Sequence, residues 1–303
     1  MEAAVPDDAA PALKTALIPL ALALAWGLNW PVIKILLATV PPFTLRAVGL
    51  SAAALLLGLM ALLQRRPLVP PRQTWRGIAV SGVLAVVVFN GCTAFAQLTT
   101  STSRAAVLTY TMPMISAALA WMLLGERPGR RGALALVCGS TGIALLAWPV
   151  FASGAPGWGL AYPLMAATAW AVATVATKRA PPVQDRVVAT AWQLALGGLC
   201  GVGAAALSGE TWPEYWPPLA LGALAYHVVI AMALAYVLWF RLLDQHSATV
   251  SSLTTLVVPV VGVLGAMAWV GDRPTALDLA GFVGVLGGAA LVLVRPAQIS
   301  SRG

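Results

Sequence analysis

The sequence predicts an all-α membrane protein, with ten transmembrane helices built as two inverted five-helix repeats around a central cavity. Three observations lead there. The 303-residue chain is 60% hydrophobic and 9% charged, with a mean hydropathy of +0.86. Its apolar residues gather in stretches long enough to cross a bilayer, and one half of the chain repeats the other in a fixed register. A soluble domain carries about a quarter charged residues, so a surface this poor in charge belongs in lipid.

A helix of about 20 apolar residues crosses the roughly 30 Å hydrocarbon layer. Ten such spans are expected, at about 14–37, 44–63, 77–97, 104–123, 132–151, 157–177, 187–207, 217–241, 248–270 and 277–294. They group into a tail over 1–13, a first repeat over 14–151, a second over 157–294 and a tail over 295–303. The first span is too long for the core of a cleaved signal and no small-residue cleavage site follows it, so it is expected to remain in the mature protein. Cys92, Cys138 and Cys200 all fall inside spans, without metal or redox spacing, and read as small packing residues.

Orientation follows the positive charges. With the N-terminus inside, 14 of the 18 Lys and Arg residues fall on inner segments. Arg46, Arg104 and Arg273 fall on the outer side, and Lys34 lies within the first span. Both tails are therefore expected in the cytoplasm of a bacterial cell, with the chain in its inner membrane. The high isoelectric point reflects this asymmetry, and a nucleic-acid partner is not expected. The partners expected are the lipid bilayer and a small-molecule substrate, with the protein working as a monomer and without a cofactor.

The repeat is visible without gaps at an offset of 146 residues. Ser101 matches Ser247, Thr109 matches Thr255, Pro113 matches Pro259, "GERP" from Gly125 matches "GDRP" from Gly271, and Gly142 matches Gly288. Earlier in each half, "AWGLNWPVIK" from Ala25 parallels "AWAVATVATK" from Ala169. A unit of five spans is odd, so two copies in tandem must run in opposite directions through the membrane. Inverted repeats of this kind characterise secondary transporters with a site near the midplane.

Trp26, Gly27 and Asn29 followed by Lys34 make one recognisable set, and "LTYTMPMISAALAWMLLGERP" with its counterpart "LTTLVVPVVGVLGAMAWVGDRP" make another. On these residues the chain resembles the EamA family of the drug/metabolite transporter superfamily, and within it is similar to the YddG type of amino acid exporter. The resemblance implies ten helices, a cavity between the halves and efflux of small metabolites.

Polar side chains within spans are costly in hydrocarbon unless they face protein or a cavity. Trp26, Asn29 and Trp30 share one helical face, as do Asn90, Thr93 and Gln97, and Trp170, Thr174 and Thr177. Tyr110, Trp192, Gln193, Tyr226 and His227 stand near the middle of other spans. The candidate binding residues are Trp26, Asn29, Trp30, Asn90, Tyr110, Trp170, Trp192, Gln193, Tyr226 and His227. Trp148, Trp158, Trp212, Trp216 and Trp269 are expected at the membrane interface. Pro113 and Pro259 lie mid-span and serve either as hinges or as fixed kinks. In "GERP" and "GDRP" the Gly closes one helix and the Pro suits the start of the next. Glu126 and Asp272 there act in the turn or as a gate.

An aromatic and amide-lined pocket suits a zwitterion with an apolar or aromatic side chain, or a flat organic cation. Phosphorylated cargo needs convergent Lys or Arg, of which few are in reach. All ten acidic residues fall in tails, loops or span ends, which favours a facilitator over a carboxylate-based proton antiporter and leaves His227 as an alternative coupling group. The competing classes are an intramembrane enzyme and a channel. The sequence carries no HExxH, nucleophile elbow or nucleotide-binding loop, and nothing in it specifies an ion filter. Export of neutral or aromatic amino acids is the expected function. Proton-coupled export of other metabolites or organic cations remains open.

Overall fold

In the computed structural model, which describes residues 9–126, 129–152, 154 and 157–293, every regular element is helical. The first apolar stretch is α1 (Ala9–Gly27) and α2 (Asn29–Leu37), parted at Leu28. Pro31 accounts for the break, because it has no amide N–H to donate one turn back to Gly27. Helix α1 starts at Ala9, so part of the expected tail over 1–13 is helical. Then come α3 (Pro42–Leu63), α4 (Trp75–Ser81) and α5 (Phe89–Thr99), the last two joined through a π-helical stretch, Gly82–Val88, into one rod. Helices α6 (Thr102–Thr109), α7 (Met112–Leu124) and α8 (Arg130–Ala152) complete the first half.

The second half runs through α9 (Trp158–Arg179), α10 (Arg186–Leu207) and α11 (Pro218–Tyr226). A second π-helical stretch, His227–Leu234, leads into α12 (Ala235–Gln245). Helices α13 (Ala248–Thr254), α14 (Val258–Val270) and α15 (Ala276–Leu293) follow. Among the described residues nine helical stretches are long and apolar enough to cross a membrane, each within a few residues of an expected span. The tenth expected span, 277–294, coincides with α15, whose apolar part Ala276–Gly288 is shorter than the others. The expected tail over 295–303 lies outside the described residues.

Pro113 and Pro259 do not sit inside continuous helices. Each is the second residue of a new helix, α7 or α14, where a missing N–H is harmless. The fourth and ninth spans are therefore broken, at Tyr110 and Thr111 in one and at the 3₁₀ turn Thr255–Val257 in the other. Gly125 and Gly271 close α7 and α14 at φ 70° and 77°, a left-handed conformation that only Gly adopts without strain. Pro274 lies two residues before α15 begins, outside its first turn, and Pro128 lies outside the described residues.

Helices that correspond in the two halves pack on each other. Helix α3 packs along α10, and α8 along α15. Small residues permit the approach: a Cβ on Gly201 would lie 2.6 Å from the Ala47 nitrogen, and one on Gly142 would lie 2.6 Å from the Gly281 carbonyl. The α3–α10 pair is also tied at both ends. Beyond the C-terminus of α10, Glu210 accepts from the Phe43 and Thr44 amides at the start of α3, at 3.1 and 2.7 Å. Beyond the C-terminus of α3, Arg66 donates at 2.8 Å to Asp185, the N-cap of α10. The start of each helix thus meets the end of the other, and the two run antiparallel. The first helices pack crosswise, α1 against α12 and α14, and α9 against α5 and α7.

Candidate functional site

A cavity opens where the first, third, fourth, sixth and eighth spans converge. Its walls are Trp26, Asn29, Trp30, Ile33, Phe89, Asn90, Thr93, Tyr110, Met112, Trp170, Met232 and Tyr236. The cavity is small, about 30 Å³, far below the roughly 300–1,000 Å³ of small-molecule sites, so an amino-acid-sized guest enters only if the surrounding rings move.

Repeat-related residues meet across this cavity. The rings of Trp26 and Trp170, which occupy the matching "AW" positions, stand edge to face with centroids 5.3 Å apart. Asn90 donates through Nδ2 at 2.9 Å to the hydroxyl of Tyr236, 146 residues further along. Tyr236 and Trp239 pack on both tryptophans, joining the four rings into one aromatic cluster.

The π-helical stretches position the polar groups. A π turn loosens the regular backbone ladder and leaves carbonyls open to side-chain donors. Tyr236 donates to the Ala85 carbonyl at 2.9 Å and Asn90 to that of Val86 at 2.9 Å, both in the first stretch. Trp26 Nε1 donates at 3.0 Å to the Ala231 carbonyl in the second. Ala85 and Ala231 correspond in the 146-residue register, so each half presents the same carbonyl to a cavity side chain of the other.

Six of the ten candidate residues form the wall: Trp26, Asn29, Trp30, Asn90, Tyr110 and Trp170. The structure places the other four elsewhere. His227 is buried one layer out, with Nδ1 2.9 Å from Asn29 Oδ1. Tyr226 donates to the Leu24 and Ala25 carbonyls of α1. Gln193 donates to Ser81, bracing α10 against α4. Trp192 is 41% exposed and donates at 2.8 Å to the Leu68 carbonyl in a loop, with its ring on Trp75. Its neighbour in sequence, Gln193, faces inward because adjacent helical residues point about 100° apart.

Sequence reasoning missed Tyr236, Ile33, Phe89, Met112 and Met232. Tyr236 carried a readable signal, since it stands in register with Asn90. The apolar four look like any other lipid-facing or core residue. No carboxylate lines the cavity, and among the described residues no cluster of metal-ligating side chains exists.

The acids of the two repeated motifs act across the halves. Glu126 accepts from the Ala248 amide at 3.2 Å, capping the start of α13. Asp272 accepts from the amide and hydroxyl of Ser103 at 2.9 and 2.6 Å, capping the start of α6. Each acid therefore satisfies orphan donors of the equivalent helix in the other half. Trp148, Trp158 and Trp269, near helix ends, and Trp212, in the loop between α10 and α11, are all more than half exposed.

Two matches to the model of the EamA-like transporter family cover residues 13–148 and 157–294. The uncharacterized transporter YvbV of Bacillus subtilis is 25% identical over 93% of this chain and 92% of its own length. The uncharacterized inner membrane transporter YedA of Escherichia coli is 30% identical over 80% of this chain and 79% of its own length. A solved crystal structure with 21% identity has the same fold, with a TM-score of 0.71 over 92% of this chain and 96% of that one. With both halves matched and the spans in place, the chain belongs to the EamA-like transporter family and is a multi-pass membrane transporter.

Proposed function

We propose that the protein exports neutral or aromatic amino acids across a bacterial inner membrane by alternating access, working as a monomer and a facilitator. The observation that carries this reading is the cavity itself, walled by tryptophan and tyrosine rings with Asn29, Asn90 and Thr93 among them and no acidic side chain. Ring faces and amides suit a zwitterion with an apolar side chain.

In this reading ten helices cross the membrane, with both termini in the cytoplasm and the second half inverted relative to the first. The antiparallel packing of α3 on α10, tied by Glu210 and Arg66, supports inversion. So do the reciprocal caps, which put Glu126 and Asp272 at opposite ends of the broken spans. Alternating access then means releasing one cap at a time, with the breaks ahead of Pro113 and Pro259 acting as hinges.

Liposomes containing only the purified protein test this directly. Counter-flow of labelled Phe, Trp, Met, Thr and Ala is measured beside a sugar phosphate, with and without a pH gradient. Saturable flux of the neutral amino acids, unchanged by the gradient, is the expected result. Flux of the sugar phosphate alone contradicts the substrate class, and flux that requires the gradient contradicts the facilitator and turns attention to His227.

A further inference from the structure

One charged side chain lies buried beside the cavity without a counter-ion. Arg46, in the first turns of α3, is only 3% exposed. Its Nη2 donates to Thr93 Oγ1 at 3.4 Å, a long bond to a residue of the cavity wall. Nε and Nη1 are buried without any partner.

The surroundings are polar but hold no anion. One turn along α3, a Cβ on Gly49 would lie 2.8 Å from His227 Cδ2 and 3.1 Å from its Nε2, so the imidazole rests directly on the helix. His227 Nε2 is also without a partner, while its other nitrogen holds Asn29 of the wall. The carboxylates near the ends of α3 are engaged elsewhere, Glu210 with the amides of Phe43 and Thr44 and Asp185 with Arg66. Among the described residues no carboxylate is hydrogen-bonded to Arg46.

A guanidinium in this position loses most of its hydration, and only an anion with good hydrogen-bond geometry offsets that loss. Each two-donor edge of the planar guanidinium, Nε with Nη2 or Nη1 with Nη2, matches the two oxygens of a carboxylate, and the Thr93 bond takes up only one of the two Nη2 hydrogens, which leaves one edge open. We propose that Arg46 is the carboxylate anchor of the transport site. The carboxylate of a substrate docks on its open guanidinium edge beside the Thr93 hydroxyl, and its side chain lies among the rings of Trp26, Trp30 and Trp170. The proposal rests on the reading of the cavity as a site for amino acids and makes the carboxylate, rather than a bare cation, the recognised group. It disfavours organic cations without a carboxylate.

Binding of phenylalanine, 3-phenylpropionate, phenylalaninamide and phenethylamine to the purified full-length protein tests it, by calorimetry and ligand-induced thermal stabilisation. The native protein is expected to prefer the two carboxylates over the amide and the amine by about 30-fold or more. In R46Q that preference vanishes through loss of carboxylate binding, with amide binding unchanged. R46K keeps the charge but loses the fork, and T93V removes the hydroxyl that orients the guanidinium, so both lower the preference in part. These two variants carry the test if R46Q does not fold. A preference retained in all the folded variants overturns the proposal. Stabilisation by chloride alone, with no additional effect of the carboxylates, also overturns it and makes Arg46 a halide site. Counter-flow of phenylalanine in parallel separates the two readings. Native flux with an Arg46-independent preference sinks the anchor but leaves the exporter. Arg46-dependent binding of 3-phenylpropionate without amino acid flux sinks the exporter but leaves the anchor.

Discussion

The two halves share a backbone plan but divide the chemistry unequally. Each has a π-helical stretch in its third span, ending 146 residues apart at Val88 and Leu234, a broken fourth span, and a Gly-closed turn carrying an acid. Yet nine of the twelve cavity-lining residues come from the first half, and the second supplies only Trp170, Met232 and Tyr236. The first helix makes the difference plain. In α1 and α2, Pro31 breaks the rod and turns Asn29 and Trp30 into the cavity, whereas α9 runs unbroken past Trp170. Duplication supplied the scaffold twice, and the cavity lining is concentrated in one copy.

The aromatic contact between the halves offers the largest test. Trp26 is 7% exposed, touches Trp170, Tyr236 and Trp239, and donates to Ala231. Trp26→Ala is expected to destabilise by about 3–5 kcal/mol, the usual cost of removing a buried ring. It therefore lowers the amount of folded protein as well as transport, and thermal unfolding in detergent measures it. Trp26→Phe keeps most of the ring and separates the two effects.

Tyr236→Phe comes next. It strips the donor from the Ala85 carbonyl and the acceptor from Asn90, at about 1–3 kcal/mol for groups left unpaired. A double-mutant cycle with Asn90→Leu is expected to show coupling across the halves, and additive effects would mean that the observed bond contributes nothing.

Smaller again are the caps. Glu126→Gln and Asp272→Asn are each expected to cost about 1 kcal/mol. In the alternating-access reading they shift the inward and outward populations in opposite directions. Accessibility of single cysteines placed at either mouth measures that shift, and equal shifts in one direction would reduce the acids to simple caps.

The Arg66–Asp185 tie gives the smallest effect and a defined pH dependence. Burial raises the Asp185 carboxyl, but hydrogen bonds from Arg66 and from the Val187 and Val188 amides outweigh it and hold the group below its ordinary value. A carboxylate with a lowered folded pKa contributes stability above its unfolded pKa of about 4, and that contribution disappears as pH falls through the folded value. The melting temperatures of the native protein and Asp185→Asn are thus expected to differ at neutral pH and to converge in acid.

Much of the scaffold was legible because lipid imposes long apolar runs, and those runs are visible residue by residue. The gapless 146-residue offset also relates residues that meet in space, such as Asn90 and Tyr236, although that pair was missed in the sequence. What stayed hidden depended on side-chain direction. Trp192 and Gln193 are neighbours in the chain but face different ways, one into a loop and the other into the α4 contact. The breaks beside Pro113 and Pro259 were expected inside continuous helices, because sequence alone does not say whether a proline kinks a helix or begins one. Topology puts Arg46 at the outer margin, among the few basic residues in reach of the pocket with Lys34 and Arg104, and packing adds that it is buried with two nitrogens unpaired.

The most direct measurement of the central claim is phenylalanine counter-flow in liposomes for three proteins: native, Asn29→Ala and Trp192→Ala. If the cavity with its first-half chemistry is the transport site, Asn29→Ala raises KM about tenfold or more, while Trp192→Ala leaves KM unchanged. Normal kinetics in Asn29→Ala together with a raised KM in Trp192→Ala would place the substrate elsewhere and contradict the account.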